Sequence, residues 1–133
     1  MTCHTKPLFH PPEARFKELG NRGQSWENRV LSLFQTSGWT DIQVSPKDGE
    51  WDRKKVDIIP TTPNSPFPFH VQCKSSVNYQ KINYPSILAS MPKDPTKVNL
   101  IAHQRLKEDG SKGGEYVILK LQDFLYLTQQ DPF

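Results

Sequence analysis

The sequence predicts an α/β domain in which helices flank a central mixed β-sheet, giving three layers. Helical and strand periodicities alternate along the chain in the order helix, three strands, helix, two strands and helix. The chain has 133 residues, of which 35% are apolar, and this is enough for one domain with one modest core. A barrel needs more hairpins than this pattern provides, and the βα alternation is too short for a doubly wound nucleotide-binding fold.

The N-terminal part is predicted to contain an arm and two helices. Residues 1–12 are polar and proline-bearing, which predicts a flexible arm, and residues 12–19 fit a short helix that ends at Gly20. Residues 24–36 form the clearest helical pattern in the chain. The apolar residues that recur at helical spacing in this pattern are Trp26, Val30, Leu33 and Phe34.

Three strands are predicted in the middle of the chain, at 39–45, 55–60 and 69–74. The segment 46–54 is predicted to be a loop, because it is polar and carries both signs of charge. The proline-rich segment 61–68 is predicted to turn the chain before the third strand. In that third strand apolar and polar residues alternate, so its Phe, Val and Cys side chains point one way and its His, Gln and Lys side chains the other.

The remaining elements are a partly helical segment, a linker, two strands and a closing helix, predicted at 79–91, 92–96, 97–104, 115–121 and 121–129. Pro85 must break or start a helix in the first of these segments. A Gly-rich turn at 108–114 joins the two strands, which predicts an antiparallel hairpin.

The composition excludes several classes of protein. The 17 basic and 14 acidic residues leave a formal charge of +3, which permits nucleic-acid binding without requiring it and excludes a histone-like polybasic chain. No stretch approaches the roughly 20 apolar residues of a membrane span, and the start lacks the apolar run of a secretory signal, so no membrane partner is expected. Cys3 and Cys73 form no disulfide framework, which favours a reducing, intracellular setting, and Cys73 is expected to be a small buried residue rather than a nucleophile.

Four polar residues stand at positions that suggest chemistry. Glu27 flanks the apolar stripe of the predicted helix 24–36, and Asp57 stands inside the second predicted strand, where aspartate is disfavoured. Gln72 and Lys74 lie two residues apart on one strand and share one face. If the strands of Asp57 and Gln72 are neighbours, their polar side chains meet and Glu27 reaches them from the covering helix.

These residue types suit a hard cation such as Mg²⁺, because such cations prefer oxygen ligands. A divalent ion beside a phosphodiester lowers the pKa of a bound water and neutralises the charge that develops on the phosphate. A neighbouring lysine orients the attacking water or stabilises the pentavalent oxyanion. The residues therefore suffice for metal-assisted phosphodiester hydrolysis.

The order of these residues resembles the PD-(D/E)XK nuclease superfamily, in which a helix carboxylate precedes a strand aspartate and a three-residue motif on the next strand. Here Glu27 and Asp57 are followed by Gln72-Cys73-Lys74.

A longer run of short motifs narrows the resemblance. The motif GQSWE ends at Glu27, the helix ends in Gly38-Trp39, and the strands read VDII and VQCKSS. This arrangement is similar to that of archaeal-type Holliday-junction resolvases and their phage relatives, over roughly residues 20–76. The resemblance implies a restriction-endonuclease-like core that forms a single nuclease domain over residues 13–133.

The resemblance also implies a role for each site residue. Glu27, Asp57 and Gln72 take catalytic, metal-binding positions, Cys73 adds its backbone carbonyl to the metal, and Lys74 takes the place of the catalytic lysine. The implied cofactor is Mg²⁺ or Mn²⁺. The implied function is a structure-selective endonuclease that resolves Holliday junctions in DNA recombination, as a homodimer whose two sites cut symmetric strands. The implied setting is a prokaryotic cytoplasm or a phage-infected cell.

Two positions depart from the family pattern. Gln72 stands where the family usually has Asp or Glu, so the metal site loses a negative charge. Its amide oxygen can still coordinate, but Mg²⁺ binding is expected to weaken, Mn²⁺ is favoured, and a silenced site remains an alternative. Val56 stands where a proline usually precedes the aspartate.

The residues expected to contact DNA phosphates are Arg22, Arg29, Lys47, Arg53, Lys54, Lys55 and Ser75. The basic residues are scattered along the sequence, and several lie in three loops that are predicted to rim the site, at 46–55, 91–97 and 105–113. Their ordinary interpretation is solubility.

The candidate site residues also have ordinary interpretations. A lone glutamate on a helix usually faces solvent. Asp57 could pair with Lys54 or Lys55 instead of a metal. His70 is expected to be an ordinary surface histidine, and His103 is either a DNA contact or a residue at a strand edge.

Two other functions are compatible with the same fold. A sequence-specific endonuclease of the restriction or homing type would read bases with the loop 46–55. A non-catalytic DNA-binding module would explain Gln72, because it would bind DNA without metal-dependent cutting.

Overall fold

The computed structural model describes residues 22–77 and 79–129, so the predicted arm 1–12 and the predicted helix 12–19 lie outside the described residues. The elements are α1 (Arg22–Thr36), β1 (Ile42–Val44), α2 (Glu50–Arg53), β2 (Ile58–Pro60), β3 (Phe69–Ser76), a 3-10 turn (Tyr79–Lys81), α3 (Tyr84–Ser90), β4 (Val98–Leu106), β5 (Lys112–Ile118) and α4 (Leu121–Thr128).

The five strands form one mixed sheet in the order β1-β2-β3-β4-β5. β3 and β4 run parallel, and the other neighbouring pairs are antiparallel. The connection between β3 and β4 contains α3, as expected because parallel neighbours need a crossover. The predicted α/β class with a central mixed sheet is confirmed, and so is the antiparallel hairpin of β4 and β5.

Helices α1 and α3 pack on opposite faces of this sheet. Trp26 of α1 belongs to a core cluster with Cys73 and Ala102, whereas Leu88 of α3 packs with Ile101. Ile101 and Ala102 are consecutive in β4, so their side chains point to opposite faces. The sheet therefore lies between two helical layers, and the expected burial of Cys73 is confirmed.

A hydrogen bond fixes α1 on the sheet. The indole N–H of Trp26 donates to the carbonyl of Ala102 at 2.9 Å, in a buried position. The helix predicted at 24–36 is thus confirmed, and it ends where Gly38 takes a φ of 116°, a left-handed conformation that favours glycine. Because Trp26 is held, the position of its neighbour Glu27 is held too.

The segment predicted as a loop between the first two strands is partly helical. The segment 46–54 contains α2, so its prediction as a loop throughout is wrong for residues 50–53. Its acidic first turn favours this short helix, because negative charge stabilises a helix N-terminus.

Three strand boundaries also differ from the prediction. β2 begins at Ile58, so Asp57 precedes the strand instead of lying inside it. β1 is shorter than predicted, with only Ile42–Val44 paired. β5 begins at Lys112 within the predicted turn, which leaves a tighter turn at 107–111.

Pro85 lies at the start of a helix, which is one of the two outcomes that the sequence predicts for it. It lies in the first turn of α3, where its missing N–H removes no helical hydrogen bond. The side chain of Asn83 caps this helix and accepts the backbone N–H of Ser86 at 3.0 Å. No helix in the described segments is long and apolar enough to cross a membrane.

Candidate active site

The carboxylate of Asp57 joins β2 to β3. Its Oδ2 accepts the backbone N–H of Cys73 at 2.7 Å and the side-chain N–H of Gln72 at 3.1 Å. Asp57 is only 5% exposed and Gln72 only 8% exposed. The structure therefore brings together two of the predicted site residues, and within the described residues the Asp57 carboxylate accepts hydrogen bonds from Gln72 and Cys73, not from Lys54 or Lys55.

The backbone around Asp57 explains why its side chain reaches β3. The Asp57 N–H donates to the carbonyl of Val71 at 2.7 Å, and the Asp57 carbonyl accepts the N–H of Ser45 at 2.8 Å. The hydroxyl of Ser45 donates to the carbonyl of Val56 at 2.9 Å. Strands β1 and β3 thus hold this residue from both sides, while its carboxylate replaces a backbone acceptor for Cys73.

Of the two ends of the Gln72 carboxamide, the nitrogen has a hydrogen-bond partner among the described residues and the oxygen has none. Its Nε2 donates to Asp57, but among the residues that the structure describes none lies within hydrogen-bond distance of the buried Oε1. A buried acceptor without a partner destabilises a protein by about 1–3 kcal/mol. The N–H group of the same amide contacts the Asp57 carboxylate, so the two side chains together carry amide and carboxylate oxygens of the kind that a cation binds.

Glu27 is the second carboxylate of this region. It lies half-buried on α1, directly after the anchored Trp26. Burial raises the pKa of Glu27, and the negative charges of Asp57 and Asp52 raise it further, whereas Lys47 lowers it. Glu27 and Asp57 are therefore close enough to repel each other.

Burial also raises the pKa of Asp57. The hydrogen bond from Cys73 opposes this shift, as do the positive charges of Lys74 and Lys47, whereas Asp52 adds to it. Desolvation and neighbouring negative charge both disfavour an ionised carboxylate, so the site gains from a bound cation.

Asp52 is a residue that the sequence reasoning missed. It lies on α2 and raises the pKa of both Glu27 and Asp57. Its Oδ2 accepts the backbone N–H of Asp48 at 2.9 Å, and Asp48 itself takes a φ of 62°. The alternating acidic residues of 46–54 were the available signal, but only the folding of α2 brings one of them to the site.

Lys74 lies on β3, half-buried, and its charge reaches Asp57. It pairs in register with His103 of the parallel strand β4. His103 is fully buried, with its Nδ1 2.7 Å from the Tyr84 hydroxyl and its Nε2 3.1 Å from the Ser76 hydroxyl. Burial lowers the pKa of His103, and the charges of Arg105 and Lys74 lower it further.

His70 is buried, so its expected position on the surface is wrong. Its Nδ1 lies 2.9 Å from Oδ1 of Asn99, and its ring packs at 5.7 Å from the ring of Trp51. Burial is the main cause that lowers the pKa of His70. The prediction failed because α2 folds over a strand face that alternation alone assigned to solvent.

The predicted DNA-contacting residues fall into different surroundings. Arg29 forms a two-pronged ion pair with Glu115 of β5, at 2.5 and 3.1 Å, which directs it toward the edge strand. Lys47 lies near the carboxylates of the site, since its charge lowers the pKa of Glu27 and Asp57. The hydroxyl of Ser75 donates to the side chain of Gln104.

The basic residues of the α2 region are largely held by their own loop. Lys54 pairs with Glu50 at 2.9 Å and lies 4.8 Å from the ring centroid of Trp51. Arg53 donates to the carbonyl of Asp48. Lys55 is exposed and takes a φ of 69°.

The three predicted rim loops do not all surround the site. The segment 91–97 leads into the start of β4, where Lys97 donates to the carbonyl of Phe67. This is the end of β4 remote from His103 and Lys74. That loop therefore lies away from the candidate site, whereas 46–55 lies beside it. The remaining predicted contact, Arg22, is the first residue of α1.

The carboxylates do not form a closed metal cage. Within residues 22–77 and 79–129, no three His, Cys, Asp or Glu side chains stand close enough together to hold a metal ion. A bound ion would depend on the amide oxygen of Gln72 and on backbone carbonyls as well as on Glu27 and Asp57. Burial raises the pKa of the Cys73 thiol well above its usual value, so the thiol itself is a poor metal ligand and nucleophile.

Comparison of the chain with protein-family models, with curated proteins and with solved structures found no match.

Proposed function

We propose that the chain is a metal-dependent DNA endonuclease with a PD-(D/E)XK nuclease core that cuts branched DNA, most specifically Holliday junctions. The observation that carries the proposal is the buried Gln72 Oε1, which has no hydrogen-bond partner among the described residues and belongs to an amide whose N–H donates to Asp57. The half-buried carboxylate of Glu27 and the buried carboxylate of Asp57, both with raised pKa values, lie in the same region. A hard divalent cation suits this set, because it binds oxygen ligands and compensates their negative charge.

Each residue of the chain has a distinct task in this proposal. Glu27, Asp57 and the amide oxygen of Gln72 would hold Mg²⁺ or Mn²⁺, together with the carbonyl of Cys73. When bound, the ion supplies a water of lowered pKa and neutralises charge on the phosphate. Lys74 orients the attacking water or stabilises the oxyanion at phosphorus. The Cys73 N–H keeps the Asp57 carboxylate in place through its 2.7 Å hydrogen bond.

The shape of the α2 region supports branched DNA over a specific duplex sequence. A base-reading loop has to project into the major groove. The segment 46–55 instead folds back on the protein, where Trp51 packs against His70 and Arg53 donates to Asp48. Its side chains are therefore held by protein contacts, and the segment offers little length for base readout.

The homodimer is part of the proposal. Four-way junctions present two equivalent cleavage points, which a two-fold dimer matches. Three exposed large apolar side chains of α4 support such an interface: Leu121, Phe124 and Leu125. Single exposed apolar residues are ordinary, but three that share one side of a helix are typical of a contact surface. The setting proposed for this enzyme is a prokaryotic cytoplasm or a phage-infected cell.

The experiment that tests the function compares cleavage of a labelled four-way junction with cleavage of a linear duplex of matched sequence. Wild type, Asp57→Asn and Lys74→Met are assayed with Mg²⁺ and with Mn²⁺. Lys93→Ala, on a loop remote from the site, serves as the control for loss of a positive charge. We expect symmetric cuts in the junction by wild type and by the control, and none by the two site variants.

Three other outcomes would contradict the proposal. Preferred cutting of one duplex site would favour the sequence-specific enzyme. Binding of DNA without metal-dependent cutting would mean that Gln72 marks a silenced site. Cutting that survives Asp57→Asn would place the chemistry elsewhere.

A further inference from the structure

A cavity at the ends of β3 and β4 takes no part in the proposed chemistry. It has a volume of about 440 Å³, within the range of clefts that hold small ligands, roughly 300–1,000 Å³. The side chains that give it chemical character are those of Gln80, Arg105, Lys107, Glu108 and Tyr116. Two cations, an amide and an aromatic ring thus border one space, with a single carboxylate opposing them.

Arg105 and Tyr116 form a cation–π pair in this cavity. The guanidinium carbon of Arg105 lies 4.9 Å from the centre of the Tyr116 ring. The ring remains 46% exposed, although it lies on a strand of the sheet. An exposed aromatic ring beside a guanidinium is the combination that nucleic-acid-binding proteins use to stack a base and hold a phosphate.

The backbone of β5 makes room for this ring. Gly114 takes a φ of 126°, and a Cβ at this position would lie 2.5 Å from the Tyr116 hydroxyl oxygen and 2.7 Å from ring carbons. Glycine leaves room for the ring to lie across the strand, and a larger residue at this position would displace the ring.

The sheet register places the cavity next to the candidate active site. Lys74 pairs with His103, which pairs with Tyr116, and Ser76 pairs with Arg105. Ser76 follows Lys74 by two residues on the same face of β3. Strand rise and strand spacing therefore separate the backbone positions of Lys74 and Arg105 by about 8 Å. A nucleotide chain with one phosphate at Lys74 can reach the cavity with its next unit.

We propose that this cavity binds the nucleotide adjoining the scissile phosphate, with its phosphate on Arg105 and Lys107 and its base stacked on Tyr116. The inference rests on the proposed nuclease function and names its substrate more closely. A base inside a continuous duplex cannot stack on a protein ring, so the bound nucleotide is unstacked, as at a branch point or in a single strand. The alternative is that Arg105 and Tyr116 are an ordinary cross-strand surface pair.

The test uses the full chain, without divalent metal, and a DNA branch that carries 2-aminopurine as an unpaired base next to the cleavage point. Fluorescence of this base reports stacking, and anisotropy of a distant label reports affinity. Wild type is compared with Tyr116→Leu, Tyr116→Trp, Gly114→Ala and Arg105→Gln. Tyr126→Leu, another exposed tyrosine on α4, is the matched control, and thermal unfolding verifies that each variant is folded.

We expect wild type, Tyr116→Trp and the control to quench the 2-aminopurine. Tyr116→Leu should lose the quenching and bind the branch about 5- to 150-fold more weakly, the range for stacking on one side chain. Its affinity for continuous duplex should not change. Gly114→Ala should behave likewise, because it displaces the ring. Arg105→Gln should reduce the slope of log affinity against log salt by about one.

Failure of this inference is distinguishable from failure of the nuclease proposal. If wild type cuts junctions and Tyr116→Leu retains both quenching and affinity, the nuclease proposal stands and the cavity is not a nucleotide site. If wild type binds neither branched nor duplex DNA, both proposals fail together.

Discussion

The carboxylate of Asp57, one residue before β2, accepts the backbone N–H of Cys73 in β3 at 2.7 Å. A side chain thus completes the hydrogen bonding between two strands at the point where they separate. The same oxygen accepts the amide of Gln72, so the polar centre of the candidate site is also part of the sheet. Changes at this site are therefore expected to alter both stability and activity.

Asp57→Asn is expected to stabilise the metal-free protein at pH 8 by about 0.5–2 kcal/mol while abolishing cleavage. Burial raises the pKa of Asp57 above its usual 3.8, so the folded state binds the proton more tightly than the unfolded state does. The destabilising effect of ionisation is therefore complete above the raised pKa and vanishes as the pH falls toward 3.8. An asparagine at position 57 removes the charge and keeps an acceptor for the Cys73 N–H. Its side-chain N–H group can donate to the Oε1 of Gln72 once the Gln72 amide rotates.

Urea unfolding of wild type and Asp57→Asn across pH 4 to 8 measures this effect. The advantage of the variant should shrink as the pH decreases. A variant that is less stable than wild type at pH 8 would contradict the burial argument.

Gln72→Glu is expected to tighten Mg²⁺ binding by roughly 10-fold, because affinity for hard cations rises with the number of charged ligands. The same change should lower the stability of the metal-free protein at neutral pH, since it adds a negative charge beside Asp57. Calorimetric titration with Mg²⁺ and thermal unfolding with and without the ion measure both effects. Wild type itself should gain about 2.7 kcal/mol at an ion concentration 100 times its dissociation constant.

The control for this prediction is Gln104→Glu, which places a carboxylate at another buried glutamine of the sheet. It should destabilise the protein without changing its affinity for Mg²⁺. Equal tightening by the two variants would mean that general charge, and not the site, attracts the ion.

Tyr84→Phe is expected to lower the free energy of unfolding by about 1–3 kcal/mol. His103 is completely buried, and its two ring nitrogens contact the hydroxyls of Tyr84 and Ser76. Without the tyrosine hydroxyl, one buried nitrogen loses its partner. Because burial lowers the pKa of His103 below 6.5, the ring stays neutral above that pH, so the loss should be constant from pH 7 to 9.

Urea unfolding measures this loss. Tyr116→Phe is the control, because the Tyr116 hydroxyl is exposed and makes only a long contact of 3.5 Å, to the carbonyl of Gly113. Equal effects of the two variants would show that the buried contact to His103 contributes nothing particular.

The sequence predicts the large elements of this fold well, because their signals are local. The spacing of Trp26 and Val30 predicts α1, and the Gly-rich turn predicts the β4–β5 hairpin. The position of Asp57 outside β2 was not predictable, because it depends on a side chain that bonds to a distant strand. The burial of His70 was missed for a similar reason, since α2 covers a strand face whose alternation indicated solvent.

The candidate site divides in the same way. Residue types and order predict the partnership of Asp57 and Gln72, which neighbouring strands then bring into contact. The contribution of Asp52 depends on tertiary structure, because the folding of α2 brings its charge near Glu27 and Asp57. Spacing in the sequence carries no information about such a turn.

Helix α4 provides the last prediction, that Leu121→Gln with Leu125→Gln weakens self-association of the protein by at least 100-fold. These residues are 72% and 46% exposed and lie four positions apart, on one side of the helix. Together with Phe124, which is 51% exposed, they give α4 one exposed apolar side of the kind that marks a contact surface. An isolated helix of eight residues is marginal in water, so packing against a second copy would stabilise it.

Sedimentation equilibrium over a range of protein concentrations measures this association, and Thr128→Gln on the same helix is the control. Wild type and the control should form dimers at micromolar concentration, whereas the double variant should remain monomeric with unchanged binding of 2-aminopurine DNA. The last point matters, because Arg105 and Tyr116 lie on β4 and β5, outside α4, and should bind a nucleotide in each monomer. Cutting of both strands of a junction should fall in the variant, since paired cuts need two sites held together. A wild type that sediments as a monomer would overturn the dimer and leave the chemistry of each site untouched.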